Sequence, residues 1–188
     1  YDAKDFAGQR LDRPKEFTIT YAGTFTAQYP VADFIAALNK LDFSVTLRII
    51  GSWDGVSKER LERAAKHVNL KFVDYVPKKE LNAMMIAGHL SLLLFPKVES
   101  AKGIIPGKLF DYLGAGNPIL GLGPADGDAA GIIRDAQAGE VFSYGNIEGI
   151  VDFLKSHKEQ CPTLNTERIA PYERSVQAKA VLKAVFGE

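Results

Sequence analysis

The sequence predicts an α/β fold built on a doubly wound parallel sheet of about six strands. Short apolar runs rich in β-branched residues alternate with segments of helical period along most of the 188 residues. Most of these runs are apolar on both faces, which is typical of strands in a parallel sheet that helices cover on each side. Together these patterns indicate a Rossmann-like architecture.

The predicted strands follow one another with a helical segment after each. The apolar runs cover residues 17–23, 45–51, 70–76, 90–96, 117–123 and 139–144. Helical spacing is found over residues 31–41, 57–68, 78–88, 107–116 and 128–139, and two further helices are predicted near 146–158 and 166–186.

The composition divides the chain into three parts. Residues 1–16 are polar, contain Gly8 and Pro14, and are expected to be a linker that follows a preceding domain of a longer protein. Residues 17–160 carry the alternating pattern and form the predicted domain. Residues 161–188 contain a final amphipathic helix that is expected to cross back to the preceding domain.

Charge and cysteine content limit the function classes. The chain has 23 basic and 23 acidic residues, which gives little support for nonspecific electrostatic binding to nucleic acid or anionic lipid, so we predict no nucleic-acid partner. No apolar run approaches the ~20 residues that span a bilayer. The single cysteine, Cys161, has no disulfide partner in the chain, which favours a cytoplasmic location. No cluster of His, Cys and carboxylate residues has metal-ligand spacing, so we predict no metal site.

Candidate binding residues lie in the loops that follow the strands, because ligands of open parallel sheets bind beyond the carboxyl ends of the strands. Gly23 follows the first run and Gly51 the second, a turn at Pro77 follows the third, and a long loop with Gly103 follows the fourth. None of the loops has the dinucleotide signature G-x-G-x-x-G or the Walker lysine loop. The four loops together are expected to enclose a nucleotide and its phosphates.

Lys108 and Asp111 stand three residues apart in "GIIPGKLFDYLGAG", residues 103–116, just after the long loop. One interpretation is an exposed ion pair on a helix, worth ~0.3 kcal/mol. The other is a pair of ligand-binding groups, since a lysine suits an anion and a carboxylate suits hydroxyl groups.

The stretch "KGIIPGKLFDYLGAGNPILGLG", residues 102–123, resembles the donor-binding half of GT-B glycosyltransferases of the group 1 retaining set. The similarity is carried by Pro106, Gly107, Lys108, Asp111 and Tyr112, which match a Pro-Ser-Lys-x-x-Glu-Tyr pattern. It extends from about residue 17 to 158 and includes "YAGTF", "LRIIGSW" and "VDYVPKKEL" in the expected order.

The resemblance implies a role for each loop in binding a nucleoside-diphosphate sugar. Asp111 would hold the ribose hydroxyls and Lys108 would face the diphosphate. Backbone amides around residues 103–105 would meet the diphosphate or the sugar, and the loop at Tyr75 would border the base. The implied donor-binding residues are Gly23, Thr24, Gly51, Tyr75, Val76, Gly103, Ile104, Ile105, Lys108 and Asp111; no catalytic residue is assigned.

Two positions depart from the family pattern. Gly103 stands where many members carry a first acid, and Thr24 stands where many carry arginine. Neutralisation of the diphosphate would therefore depend on Lys108, with Lys102 and Lys97 as further candidates, and on helix dipoles.

The predicted function is transfer from a nucleotide-sugar donor to an acceptor held by an N-terminal domain outside this sequence, with no cofactor beyond the donor. The fragment alone is expected to be inactive. Two alternatives remain: half of a sugar-nucleotide epimerase, or a non-catalytic nucleotide-sugar-binding module. The family further implies polysaccharide biosynthesis, with cytoplasmic or peripheral inner-membrane location.

Overall fold

The computed structural model describes residues 1–9, 12–160 and 162–187, and its centre is one six-stranded parallel sheet. Every strand pair is parallel, and the order across the sheet is β3-β2-β1-β4-β5-β6. The predicted α/β, doubly wound fold is therefore confirmed. Cys161 lies outside the described residues. The strands are β1 (Phe17–Phe25), β2 (Val45–Trp53), β3 (Val68–Asp74), β4 (Leu90–Leu94), β5 (Ile119–Leu122) and β6 (Gly139–Phe142).

All six predicted strands are present, with differences at their ends. β1 and β2 continue two residues beyond their predicted ends because they stay paired as far as Phe25 and Trp53. β5 begins at Ile119 rather than at residue 117. There the Asn117 amide donates to the backbone oxygens of Met85 and Ile86, at 2.6 and 3.2 Å, instead of lying in the sheet.

The helices alternate with the strands and confirm the doubly wound arrangement. α2 begins at Gly55, two residues before its predicted start, because Asp54 caps it: the Asp54 carboxylate accepts from the Ser57 backbone N–H at 2.8 Å. The predicted helix over 166–186 is divided at a short 3-10 turn, Ala170–Tyr172, that contains Pro171. The helices are α1 (Ala32–Leu38), α2 (Gly55–Ala64), α3 (Lys78–Ala87), α4 (Gly107–Ala115), α5 (Asp128–Asp135), α6 (Ile147–Gln160), α7 (Thr166–Ile169) and α8 (Arg174–Phe186).

The sheet buries apolar side chains on both faces, as the continuous apolar runs require. One core cluster joins the sheet to α1, α2 and α6, and the other joins it to α3, α4 and α5. Fully buried members of the first cluster include Ile19, Tyr21, Phe34 and Leu154; those of the second include Leu93, Leu109, Tyr112, Leu113, Ile119 and Ile133.

The strand order places a topological switch point at the centre of the sheet. β1 has β2 on one side and β4 on the other, so the connections that leave β1 and β4 run in opposite directions along the sheet. The loops after these strands consequently separate and leave a crevice at their carboxyl ends, where ligands of this architecture bind.

The first residues of the chain pack on α4 and on the segment that leads into α8. The Phe6 ring packs on Gly114 of α4, where an added Cβ would lie 2.5 Å from the ring, and the Arg174 N–H donates to the Tyr1 carbonyl at 2.8 Å. α8 follows at once and has no buried residue; Val185 and Phe186 are 65% and 69% exposed. No helix within the described ranges is both long and apolar enough to cross a bilayer.

Candidate functional site

The carboxyl ends of β1 and β2 meet at two glycines, whose positive φ angles require glycine at these positions. Gly23 and Gly51 are partners in the strand register, with φ of +126° and +130°. A Cβ on Gly51 would lie 2.6 Å from the Gly23 carbonyl oxygen, so the approach of the two backbones excludes any side chain there. The two predicted site glycines are thus brought together on the β2 side of the crevice.

Lys108 lies at the crevice itself, in the first turn of α4. Its ammonium nitrogen donates to the Tyr21 hydroxyl at 3.0 Å and lies 4.2 Å from the centre of the Tyr21 ring. A Cβ on Gly23 would lie 2.8 Å from the same nitrogen, so the ammonium contacts the end of β1 from the β4 side. The structure therefore brings Lys108 and Gly23, two predicted site residues, into contact.

The charge of Lys108 has no counter-charge in the part of the chain that the structure describes. No carboxylate oxygen there lies within 4.0 Å of its nitrogen. Burial lowers the pKa of Lys108 to about 8. Burial also raises the pKa of Tyr21, so the hydroxyl that touches the ammonium is neutral. A half-buried cation without a counter-charge is an unfavourable arrangement that a bound anion would relieve.

Tyr112 fixes α4 beside β1. Its side chain is fully buried, and its hydroxyl accepts from the Ala22 N–H at 2.9 Å. Burial raises the pKa of Tyr112, so this hydroxyl stays protonated. Lys108 and Tyr112, one turn apart on the same helix, therefore both contact β1 within two residues of Gly23.

Asp111 is paired with Lys78 and not with Lys108. The Lys78 nitrogen lies 2.6 Å from Asp111 Oδ1, with 47% and 34% of the two side chains exposed. The interpretation of Lys108 and Asp111 as an exposed ion pair is therefore wrong: the two side chains turn to different partners. Lys78 is the first residue of α3, so the contact joins Asp111 to the segment that follows Tyr75 and Val76.

The remaining predicted site residues lie in the loops that follow β3 and β4. Tyr75 is 85% exposed in the loop after β3, and Val76 is half-buried. Gly103 ends a 3-10 helix, Glu99–Gly103, and the Ile104 N–H is already bonded to the Ala101 carbonyl at 3.2 Å. Ile105 is 44% exposed just before α4. Among the amides of 103–105, that of Ile104 is thus engaged within the protein.

Thr24 and the two further candidate lysines turn to other groups. The Thr24 hydroxyl is exposed and accepts from Ser52 at 3.1 Å. Lys102 pairs with Asp126 at 2.5 Å, and the Lys97 nitrogen lies 5.7 Å from the centre of the Tyr144 ring. Of the three predicted lysines, only Lys108 lies in contact with the turn at Gly23.

Sequence reasoning missed Tyr21 and Lys78. Tyr21 sits in an apolar strand run, where a tyrosine is read as a core residue; its nearness to Gly23 was the only signal. Lys78 stands beside Lys79 in a polar stretch, and nothing in that stretch distinguishes the two. No group of three or more His, Cys, Asp or Glu residues that could hold a metal ion occurs in residues 1–9, 12–160 and 162–187.

Comparisons with known proteins give the fold a context. No protein-family model matches the sequence, and no curated protein matches it. Solved structures do match. They include the lipopolysaccharide outer core galactosyltransferase WaaB (18% identity, TM-score 0.70, 100% of this chain and 54% of that one) and WaaG, a glycosyltransferase involved in lipopolysaccharide biosynthesis (20%, 0.62, 98% and 49%). The Anabaena protein HepE, solved in complex with UDP-glucose, matches at 14% identity and TM-score 0.65, over 99% and 51%.

The chain spans about half the length of these structures. At this level of identity the matches establish the fold. The predicted resemblance to a GT-B glycosyltransferase half is confirmed at the level of fold, and one of the proteins that share it was solved with a bound UDP-sugar.

Proposed function

We propose that this chain, whose fold is that of half of a GT-B glycosyltransferase, is the donor-binding half of a retaining glycosyltransferase. It would hold a nucleoside-diphosphate sugar in the crevice at the carboxyl ends of β1 and β4. The location follows the rule for open parallel sheets, since the crevice lies at the switch point of the strand order. HepE, which shares this fold, binds UDP-glucose.

The observation that carries the proposal is the unpaired ammonium of Lys108 at that crevice. A diphosphate supplies the negative charge that the described protein residues do not. Lys108 has three N–H donors and uses one on Tyr21, so two remain for phosphate oxygens. The glycine turn at Gly23 and Thr24 lies against the same nitrogen and would let the phosphates approach the backbone.

The nucleoside would extend from this point toward α3. Asp111 stands one helical turn after Lys108 and offers two acceptor oxygens, which suit two ribose hydroxyls. Its partner Lys78 begins the helix that follows Tyr75 and Val76, so the base would lie at that loop. Gly51, Gly103, Ile104 and Ile105 would line the rest of the crevice. Phosphate, ribose and base would thus meet three successive parts of one sheet edge.

The acceptor would be bound by a second domain outside this sequence. The matched structures are about twice as long as this chain, and α8 exposes Val181, Leu182, Val185 and Phe186, which an adjoining domain would cover. Without that domain the chain should bind donor and turn over little. A cytoplasmic protein of glycan biosynthesis with peripheral membrane contact fits this assignment.

Titration calorimetry of the full-length protein with UDP, GDP and ADP tests the proposal. One of them should bind, and Lys108→Met should weaken it by about 10- to 100-fold, the size expected for hydrogen bonds to a charged group. Asp111→Asn should weaken binding of the diphosphate and also binding of the parent nucleoside. Glu148→Gln is the matched control, because it breaks an exposed ion pair with Lys40, and neither of these residues belongs to the proposed site.

The outcomes separate the possible functions. Failure of all three diphosphates to bind would refute the donor site. Binding followed by transfer of the sugar with retained configuration supports the proposal, whereas an epimerised nucleotide sugar identifies an epimerase. Binding with neither reaction in the full-length protein identifies a non-catalytic module.

A further inference from the structure

We propose that Tyr21 is the positioning residue that holds the Lys108 ammonium against the turn at Gly23 and Thr24. The inference rests on the proposed function, and it assigns the preference for a diphosphate over a nucleoside to a buried hydroxyl that does not itself touch the ligand.

The hydrogen bonds of the Tyr21 hydroxyl are consistent with one direction only. The hydroxyl donates its single hydrogen to the Thr24 carbonyl at 2.7 Å, so it must accept from the Lys108 nitrogen at 3.0 Å. One hydroxyl therefore joins the backbone of the turn to the ammonium. These two hydrogen bonds of the Tyr21 hydroxyl set the position of the ammonium relative to the turn. Both the turn and the ammonium are proposed to contact phosphate.

Tyr21 is itself held rigidly. Its side chain is fully buried, and its ring makes edge contacts with Phe25 and Tyr29 at centroid distances of 5.8 and 6.3 Å. Edge-to-face geometry of this kind is favourable for aromatic pairs. The packed ring therefore fixes the position at which the Tyr21 hydroxyl accepts the hydrogen bond from Lys108.

Among the described residues, Tyr21 alone retains the Lys108 ammonium in the crevice. A lysine side chain carries a strongly hydrated ammonium on a flexible four-carbon stem. The ammonium therefore moves from a half-buried position into water unless a protein group retains it. In the described residues its only hydrogen-bond acceptor is the Tyr21 hydroxyl, and its only cation–π partner is the Tyr21 ring. The ring would remain in Tyr21→Phe, so that variant removes the hydroxyl alone.

The experiment measures binding of the nucleoside diphosphate that wild type prefers among UDP, GDP and ADP, and of its parent nucleoside, to the full-length protein. Tyr21→Phe should weaken binding of the diphosphate about tenfold, the size expected for loss of one hydrogen bond to a charged group. Binding of the nucleoside should be unchanged. In the Lys108→Met background, Tyr21→Phe should have no further effect, because its action passes through Lys108.

Tyr144→Phe is the matched control. The Tyr144 hydroxyl also donates to a backbone carbonyl, that of Phe95 at 2.9 Å, and its ring also has a lysine beside it. This variant should leave both affinities unchanged. A second readout is the pH at which diphosphate affinity begins to fall: it should lie near the pKa of about 8 in wild type and move upward in Tyr21→Phe, because the freed ammonium returns to water.

The failures are distinguishable. Unchanged diphosphate affinity and pH profile in Tyr21→Phe would overturn this inference alone. No binding of any diphosphate by wild type would overturn the proposed function and the inference together. If Tyr21→Phe does not fold, NMR of the wild type decides: nuclear Overhauser contacts between the Lys108 ε-methylene and the Tyr21 ring that persist when the diphosphate binds would support the inference, and their absence would overturn it.

Discussion

The Lys78 ammonium nitrogen lies 2.6 Å from Asp111 Oδ1 and joins the first turn of α3 to the middle of α4. The two residues are 33 positions apart in the sequence, so the packing of α3 on α4 creates the contact. Because Asp111 is the carboxylate proposed to hold ribose, this ion pair occupies a ligand position in the free protein. Ribose hydroxyls bound there would therefore share the Asp111 carboxylate with Lys78 or displace Lys78 from it.

Replacement of Lys78 by Met should strengthen nucleoside binding by up to about fivefold. The expected size follows from the ~0.2–1 kcal/mol that a solvent-accessible ion pair contributes, which the ligand no longer has to offset. Titration with the nucleoside measures it, and Lys79→Met is the control, since Lys79 is an exposed neighbour outside the proposed site. Weaker binding in Lys78→Met would show instead that Lys78 contacts the ligand.

Diphosphate affinity should fall as the pH rises through about 8. Burial lowers the pKa of Lys108 to about 8, and only the protonated form carries the charge that attracts phosphate. Above that value each further pH unit should reduce affinity by up to about tenfold until the Lys108 contribution is lost. Calorimetry between pH 7 and 10 measures the profile, and Lys108→Met should remove the dependence. A wild-type profile that is flat across pH 8 would contradict the prediction.

Loss of Lys108 should stabilise the free protein. The folded pKa is about 8 and the ordinary value is 10.5, so the unfolded chain holds the proton more tightly. The destabilisation caused by burying the charged Lys108 is fully present below pH 8 and is relieved as the pH rises from 8 to 10.5. At pH 7, Lys108→Met should therefore raise the free energy of unfolding by about 1–3 kcal/mol in urea denaturation. Lys102→Met, at a 66% exposed side chain, should change it little.

Substitution of Gly51 by Ala should destabilise the domain by about 2–3 kcal/mol. Its φ of +130° is strained for any L residue, and the new Cβ would meet the Gly23 carbonyl oxygen at 2.6 Å. Gly107→Ala is the contrasting variant, because a Cβ there has nothing within 4 Å and the position begins α4. It should be neutral or stabilising by up to about 1 kcal/mol. Equal effects of the two variants in denaturant would refute the argument from the Gly51 backbone.

The order of strands and helices was predictable because each element carries its own period. Strands apolar on both faces, such as Leu90–Leu94, indicate a covered parallel sheet directly. The ends were less predictable, since they depend on partners distant in sequence: β1 continues to Phe25 because Trp53 pairs with it, and Asn117 leaves the sheet because its amide bonds to α3.

The site was predictable only in part. Gly23, Lys108 and Asp111 carry patterns that can be read from loop position and motif, and the structure brings the first two into contact. Tyr21 has no such pattern, because a tyrosine in an apolar run has the same appearance whether its hydroxyl is used or not. Lys78 reaches Asp111 only through the packing of α3 on α4, which a one-dimensional pattern does not contain.

The separation of Tyr21 from Lys108 by 87 residues has a consequence during synthesis. At a translation rate of about 5–20 residues per second, the lysine is made roughly 4 to 17 s after the tyrosine. β1, β2 and β3 precede β4 and α4 in the chain, so the strands on one side of the crevice are synthesised before the elements on its other side. A nascent chain halted before residue 108 would therefore contain the glycine turn at Gly23 and lack the lysine that is proposed to bind phosphate.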